Sequence, residues 1–274
     1  MTSRFFSTAA VSALALTAHL AHADATLDKI KQRGQVTIGV ILSGPPFGTI
    51  NPATQKPEGF NVDLAQAVAT GLGVKLEAVQ VQPSNRVQFL QSGKVDVLIA
   101  NMSWTQERSE ILDFAPTPFE EIGGALLTRK GGSFKQWDDV RGKTVCVSQG
   151  SNYTKPLIEE YGAKIKAFRG QPESLLALRG GGCDAAVHVS PTLRLMVASG
   201  SDWRDYELPL AQDLIPSPQV IWVRKGESDA SAAIDRIIQQ WHRSGWLIET
   251  VKKNGLSPSQ SLFDLQAKYH KTPA

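Results

Sequence analysis

The sequence predicts an α/β protein of two lobes, each a mainly parallel sheet with helices packed against it. Strand-like and helix-like segments alternate in the first part of the chain, and the same alternation starts again further on, as in parallel sheets with helical crossovers. Extended apolar segments at 123–129 and 220–224 follow the two alternations and indicate two crossings between lobes. We therefore expect residues 25–120 and 219–274 in lobe one and residues 125–218 in lobe two. With 42% hydrophobic residues among 274, the chain can supply both cores.

The first alternation contains three strands and three helices. VTIGV, near its start, is rich in the β-branched residues that favour strands. GFNVDLAQAVATGLG predicts a helix because Leu64, Val68 and Leu72 recur on one face and glycines end it. The expected strands are 35–41, 75–81 and 95–100, and the expected helices are 26–32, 59–73 and 87–93.

The second alternation repeats this order, and the chain then ends in helices. Ile234, Ile237, Ile238 and Trp241 form an apolar stripe, so Trp241 is expected in the core rather than against a ligand. These last helices are expected to return to lobe one. In the second alternation the expected strands are 142–148, 163–168 and 184–189, and the expected helices are 152–161, 172–179 and 191–199.

Residues 1–23 have the pattern of a cleaved secretory signal. One cation, Arg4, precedes an apolar stretch at 9–20, and Ala-His-Ala at 21–23 matches a cleavage site. A membrane anchor is the alternative, but the stretch is short and interrupted by polar residues. We therefore expect export. In an oxidising compartment Cys146 and Cys183, the only two cysteines, are candidates for a disulfide, with two buried free thiols as the alternative.

Charge and motif content disfavour several classes of function. The net charge is +3, or +2 once the segment with Arg4 is removed, and no basic block suggests nucleic-acid binding. No His/Cys/Asp cluster has the spacing of a metal site and no G-x-S-x-G motif occurs, so we expect no metal, no cofactor and no catalytic residue. The GKT at 142–144 lacks the glycine of a phosphate loop, because Trp137 stands there. Acidic pairs such as Glu120-Glu121 are expected to be solvated.

Polar residues follow the third strand, at the end where ligands of open α/β sheets bind. Ser103, Thr105 and Arg108 lie there, and an arginine offers a fixed fork of donors that matches a carboxylate. The run Gly-Ser-Asn at 150–152 stands between a strand and a helix, where free N–H groups favour an anion. The alternative is a helix cap at 103–108 with a surface ion pair between Arg108 and Glu107.

Five segments occur in the order and spacing of one protein family. They are VTIGV…PPFG, GFNVDLAQAVA, NRVQFLQSGKVDVLIANMSWTQERSEILDFAPTPF, VRGKTVCVSQGSN and GGGCDAAV, which cover most of residues 30–190. With them the chain resembles the bacterial solute-binding proteins of polar-amino-acid ABC transporters. The resemblance implies the type II periplasmic-binding-protein fold, with two sheets joined by two hinge strands, and reversible solute capture by hinge closure.

The resemblance also implies the site and the partners. Arg108 is expected to clamp the ligand carboxylate, helped by Ser103 and by main-chain groups near Asn101, while Ser151 and Asn152 approach from lobe two. The ligand is a small carboxylate-bearing solute, with an amino acid as the first candidate. The protein is expected to work as a monomer in the periplasm and to serve an ABC permease in the inner membrane. Cys146 and Cys183 match a cysteine pair of one branch of the family, which implies a disulfide.

Three positions depart from the family pattern. Val189 stands where the family usually has the acid that binds the ligand ammonium. Three explanations remain open: another acid binds the ammonium, His188 binds it through a water molecule, or the ligand has no α-amine. Ile41 stands at a position that is acidic in relatives binding cationic amino acids, which disfavours lysine and arginine as ligands. Gly44 stands where some relatives carry a stacking aromatic residue. The aromatic residues that could replace it are Trp104, Trp222 and Tyr153.

Two other functions remain as alternatives. A periplasmic cyclohexadienyl dehydratase shares the fold, but it uses a glutamate where this chain has Thr192. A sensor that docks to a receptor is also compatible with two lobes, although the sequence shows no fused membrane helix after the signal. A free binding protein that is not an enzyme is the preferred interpretation.

Overall fold

A computed structural model describes residues 25–199 and 202–271 of the chain. The predicted signal at 1–23 lies outside the described residues. Within them, no helix is both long enough and apolar enough to cross a membrane.

Strands and helices alternate as the sequence predicts, with several short elements added. The strands are β1 Gln35–Ile41, β2 Thr49–Ile50, β3 Pro57–Glu58, β4 Lys75–Val81, β5 Val97–Ile99, β6 Leu112–Phe114, β7 Glu120–Arg129, β8 Thr144–Ser148, β9 Lys164–Phe168, β10 Ala185–Val189, β11 Tyr206–Glu207, β12 Leu214–Gln219 and β13 Trp222–Arg224. The helices are α1 Ala25–Arg33, α2 Phe60–Gly71, α3 Arg86–Gln91, α4 Gln106–Ile111, α5 Thr154–Glu159, α6 Gln171–Arg179, α7 Ser190–Ala198, α8 Ser228–Ser244, α9 Trp246–Lys253 and α10 Gln260–His270, with a 3₁₀ helix at Trp137–Val140.

Lobe one is built on a five-stranded sheet in the order β4-β1-β5-β13-β6. β1 pairs in parallel with β4 and β5, as expected for strands joined by helices. β13 pairs antiparallel with β5 and β6, because it returns from the other lobe. The stripe predicted on the C-terminal helices packs into this lobe, where Trp241 is 7% exposed and Ile234 is 1% exposed, which confirms the core role of Trp241.

Lobe two is built on a six-stranded sheet in the order β11-β7-β10-β8-β9, with β12 also paired to β7. β8 lies parallel to β9 and β10, whereas β7 runs antiparallel to β10, β11 and β12. Each sheet therefore has three neighbouring strands that are mutually parallel, and its other pairs are antiparallel.

A disulfide joins Cys146 to Cys183 across 37 positions of sequence, as the resemblance implies. Cys146 lies on β8, and Cys183 lies two residues before β10 begins. Because β8 and β10 are neighbours, with Cys146 opposite Ala186, the bond ties two adjacent strand regions inside lobe two.

The chain crosses between the sheets twice within the described residues. It leaves lobe one after Phe114 and enters lobe two at Glu120, so the segment 123–129 lies wholly within β7. The prediction that Glu120 is solvated is wrong, since this residue is only 6% exposed. Its carboxylate accepts hydrogen bonds from Ser259 Oγ and Glu121 N, and burial raises its pKa. The second crossing lies between Gln219 and Trp222.

Candidate functional site

Strand ends from both lobes meet around a small cavity of about 60 Å³. β1 and β5 of lobe one and β8 and β10 of lobe two point their carboxyl ends towards it, as expected for open α/β sheets. Its lining comprises Ile41, Ser43, Gly44, Pro83, Arg86, Asn101, Ser148, Ser151, Asn152, Tyr153, Gln171, His188, Val189 and Thr192. Three of the five predicted ligand-binding residues, Asn101, Ser151 and Asn152, line the cavity, and the other two, Ser103 and Arg108, do not.

Arg86, which the sequence analysis missed, lines this cavity and is only 4% exposed. Its Nη1 donates to the carbonyls of Ala100 and Asn101, at 2.7 and 3.0 Å, and its Nη2 donates to Gly150 O at 3.2 Å. Burial, and then the nearby charge of Arg108, lower the pKa of Arg86 to about 9. The side chain is therefore still a cation at neutral pH, held between the two lobes.

Arg108 lies at the contact between the lobes. Thr105 caps α4, since its Oγ1 accepts from Arg108 N at 3.2 Å, so the cap predicted as an alternative does form. The guanidinium donates to Ser103 O at 2.6 Å and to Gly150 O at 2.8 Å. Burial lowers the pKa of Arg108 to about 10. The cap and the interlobe contact thus coexist in one segment.

Neither arginine has an anionic partner among the residues that the structure describes. Glu107, the surface partner considered for Arg108, instead pairs with Lys155 of lobe two at 3.0 Å. The other ion pairs of the described chain involve neither Arg86 nor Arg108. Carbonyl oxygens accept hydrogen bonds from both guanidinium groups but do not neutralise two desolvated positive charges. This part of the site is therefore suited to an anion.

The carbonyl of Gly150 accepts from both arginines and so connects lobe two to lobe one. Gly150 has φ +71°, and a Cβ at this residue would lie 3.1 Å from Pro83 O. A side chain here would therefore strain the backbone and push the lobes apart.

Ser103 and Asn101 are each held by a side chain from another segment of the chain. Ser103 is 3% exposed, and its Oγ accepts from Gln219 Nε2 at 2.6 Å, next to the second crossing of the chain. Asn101 has φ +49°, and its Oδ1 accepts from Asn61 Nδ2 at 2.7 Å. The left-handed backbone turns the chain directly after β5. Both residues are thus fixed by partners that are distant in sequence.

The loop before α5 was expected to offer the backbone N–H groups of residues 150–152 to an anion. Ser151 N donates to Ser148 O at 3.2 Å, and Tyr153 N donates to Ser151 Oγ at 3.3 Å. The role of the Gly150 and Asn152 amides stays a prediction. Asn152 also offers a side-chain donor to the cavity, because its buried Nδ2 has no hydrogen-bond partner within the described part of the chain.

Strand β10 brings His188 and Val189 to the cavity. His188 is 4% exposed, and its Nε2 lies 2.8 Å from Ser174 Oγ. Burial lowers the pKa of His188 to about 3, so the ring is neutral at neutral pH. No acidic residue stands in the described lining, and the position of the missing acid is filled by Val189. Of the three aromatic residues considered in place of Gly44, Tyr153 lines the cavity, whereas Trp222 is fully buried in lobe one.

Acid should destabilise the protein through His188. An unfolded histidine takes up a proton near pH 6.5, whereas folded His188 does so only near pH 3. The unfolded state therefore binds more protons between these values, and stability falls as the pH drops below 6.5. We expect His188→Gln to reduce the loss of unfolding free energy between pH 7 and pH 4 by on the order of 3 kcal/mol. Urea titrations at both pH values measure it.

The matched control is His270→Gln, which removes an exposed histidine. This control should lose as much stability as the unmodified protein when the pH falls. An equal acid dependence in His188→Gln and the unmodified protein would contradict a buried neutral His188.

The chain is similar to known proteins over most of its length. Residues 36–256 match the family model of bacterial extracellular solute-binding proteins, family 3. The chain is 28% identical over 233 residues to the ABC transporter glutamine-binding protein of Bacillus subtilis (strain 168), covering 83% of this chain and 84% of that protein. It is 29% identical over 232 residues to the L-cystine-binding protein of Escherichia coli (strain K12), covering 81% and 82%. The crystal structure of the cysteine-binding protein of Campylobacter jejuni superposes with a TM-score of 0.77 at 27% identity, covering 84% and 92%.

Proposed function

Because the chain belongs to family 3 of the bacterial extracellular solute-binding proteins, we propose that it captures a small carboxylate-bearing solute and delivers it to an ABC permease. An amino acid is the first candidate, since similar proteins are named for binding glutamine and cystine. In this proposal the protein works as a monomer in the periplasm, and the permease lies in the inner membrane. Binding needs no cofactor and no covalent chemistry, and Thr192 leaves the site without the acid of the dehydratase.

The main support for the proposal is a pair of desolvated arginines that form no ion pair with an acidic residue of the described chain. Arg86 and Arg108 both donate to Gly150 O, so their charges lie close together. Burial of like charges is unfavourable unless an anion compensates them. A ligand carboxylate supplies that anion, and the unpartnered Asn152 Nδ2 offers it a further donor.

This arrangement also links binding to closure of the lobes. Both arginines belong to lobe one, whereas Gly150 and Asn152 belong to lobe two. A carboxylate among them gains all its donors only while the lobes are in contact, so the ligand favours the closed state over an open one. The ion pair between Lys155 and Glu107 also spans the lobes, but both side chains are 63% exposed, so it contributes little.

A second candidate ligand is a carboxylate without an α-amine. It is favoured by Val189, since the described lining of the cavity contains no carboxylate to balance an ammonium. The neutral ring of His188 cannot supply that negative charge. A ligand without the amine avoids burying an uncompensated cation beside this valine.

A thermal-shift screen against amino acids and organic acids tests the proposal. A carboxylate present at 100 times its Kd should stabilise the protein by about 2.7 kcal/mol, which raises Tm by roughly 5–10 °C. The α-amide of each amino acid is the matched control, because it keeps the ammonium and loses the carboxylate. The proposal fails if no carboxylate raises Tm, or if amides stabilise the protein as well as the acids.

The same assay with Val189→Asp separates the two candidate ligands. The added carboxylate should strengthen binding of amino acids about tenfold relative to amine-free analogues, while Val189→Asn, its uncharged control, should not. If the unmodified protein already binds amino acids tightly and Val189→Asp changes nothing, another group binds the ammonium. If the unmodified protein binds amine-free acids more tightly than amino acids, the second candidate ligand is correct.

A further inference from the structure

A second, larger cavity of about 470 Å³ opens beside the candidate site, and we call it the apolar annex. Its apolar lining consists of Pro45 from lobe one and, from lobe two, Pro172 with large side chains on α6, on α7 and after α7. These large side chains are Leu175, Leu176, Leu195, Met196 and Trp203. No charged residue belongs to the described lining of the annex.

The annex adjoins the polar cavity and shares part of its lining. Ser43 and Gly44 of lobe one and Gln171 and Thr192 of lobe two line both spaces. A Cβ on Gly44 would meet no other atom within 4 Å, so the space beside this shared glycine is open. A molecule held in the polar cavity can therefore extend into the annex between these four residues.

The two spaces differ in size and in chemistry. The polar cavity of about 60 Å³ contains Arg86 and the amide side chains, but it is well below the roughly 300–1,000 Å³ of small-molecule sites. The annex of about 470 Å³ falls within that range and lacks charges. One space thus suits a charged head group, and the other suits an apolar body.

Apolar side chains of the annex are unusually exposed for their size. Leu176 is 64% exposed and Leu195 is 39% exposed, and both belong to the small set of exposed large apolar residues in the described chain. Trp203 is held at the edge by a ring contact with Tyr206 at 5.1 Å and by Arg179, whose guanidinium lies 5.4 Å from the ring centre. Exposed apolar side chains therefore form a surface beside the candidate site, a feature typical of binding surfaces.

We propose that the annex binds an apolar substituent of the ligand whose carboxylate lies among the arginines. This inference rests on the proposed function and narrows the solute to carboxylates with an extended apolar chain. Two kinds of ligand have such a chain and a carboxylate: an amino acid with a large apolar side chain, and the corresponding acid without an amine. Since Pro45 belongs to lobe one and the leucines to lobe two, the substituent contacts both lobes and also favours closure.

Chain length in the ligand provides the direct test. Titration calorimetry on the unmodified protein would compare straight-chain carboxylates from acetate to octanoate with their 2-amino counterparts. Each added methylene should tighten Kd by about fourfold until the annex is filled. The two series differ only in the ammonium, so comparing their Kd values shows whether the ligand is an amino acid or an acid without an amine.

A charge placed in the annex provides the second test. Leu195→Glu should weaken binding of the longest chains by at least about tenfold and leave the shortest carboxylates within about twofold. Ile158→Glu is the matched control, because Ile158 is also exposed, at 49%, and lines neither space. It should leave the whole series unchanged.

The outcomes separate this inference from the proposed function. If no carboxylate of any length binds, both fail. If carboxylates bind but chain length and Leu195→Glu have no effect on Kd, the annex is not part of the ligand site and only the inference fails. If Leu195→Glu impairs uptake in cells but changes no Kd, the surface contacts the permease instead, which also overturns the inference.

Discussion

Arg108→Ala should weaken ligand binding by about 10²–10⁴-fold. The guanidinium is expected to give two charge-assisted hydrogen bonds to the ligand carboxylate, each contributing roughly 1.5–3 kcal/mol. Removing the side chain also leaves the α4 cap in place, because Thr105 Oγ1 accepts from the backbone N of Arg108. The fold should therefore persist while affinity is lost. Titration calorimetry with the tightest ligand from the screen measures the change.

Two further variants make this result specific. Arg108→Lys keeps the charge but not the planar fork, so it should recover only part of the affinity. Arg141→Ala removes an arginine of lobe two that is 63% exposed, and it should leave Kd unchanged. Near-normal affinity in Arg108→Ala would refute the assignment and move the carboxylate contact to Arg86, whose side chain lines the cavity.

Local patterns were sufficient to predict the alternating strands and helices of both lobes, but not α4, β6 and β12. The spacing of Leu64 and Val68 predicts α2 because both face the core, and both are fully buried. The β-branched run at 35–41 predicts β1 with its observed bounds. Two-residue strands such as β2 and β11 escaped prediction, because alternation cannot be recognised over two positions.

Glu120 shows that contacts distant in sequence determine where the first crossing between the lobes ends. An adjacent pair of acidic residues is usually solvated, yet Glu120 is buried at the start of β7. Its partner, Ser259, is 139 positions away and caps α10. Pairing with β12 then extends β7 back to Glu120. The position of the crossing thus depends on contacts between segments far apart in the chain.

In the candidate site, too, local sequence indicates some residues, whereas others are recognised only from contacts between distant segments. Arg108 was predicted as a site residue because the preceding strand, its polar neighbours and the family motif all point to it, and its role in binding stays a prediction. Arg86 was missed because nothing in its own segment marks it as a site residue. It becomes one through the carbonyls of Asn101 and Gly150, which lie 15 and 64 positions away. The absence of an acid at Val189, by contrast, was already visible in the sequence.

Replacing both cysteines, as Cys146→Ala/Cys183→Ala, should lower the unfolding free energy by about 2–4 kcal/mol. The bond closes a loop with a sequence separation of 37, which restricts the unfolded chain. The corresponding decrease in Tm is roughly 5–15 °C. Urea and thermal unfolding under non-reducing conditions measure the effect. Since neither cysteine lines the cavity, ligand Kd should change less than about threefold.

Adding a reductant distinguishes the stabilisation due to the cross-link from the stabilisation due to packing of the sulfur atoms. Both cysteines are buried, at 0% and 8% exposure, so the alanines also remove core contacts. If the cross-link dominates, reductant should lower the stability of the unmodified protein towards that of the double variant and leave the variant unaffected. If the double variant is less stable than the reduced protein, the difference measures the lost packing. Equal stability of the oxidised protein and the double variant would show that the bond does not stabilise lobe two.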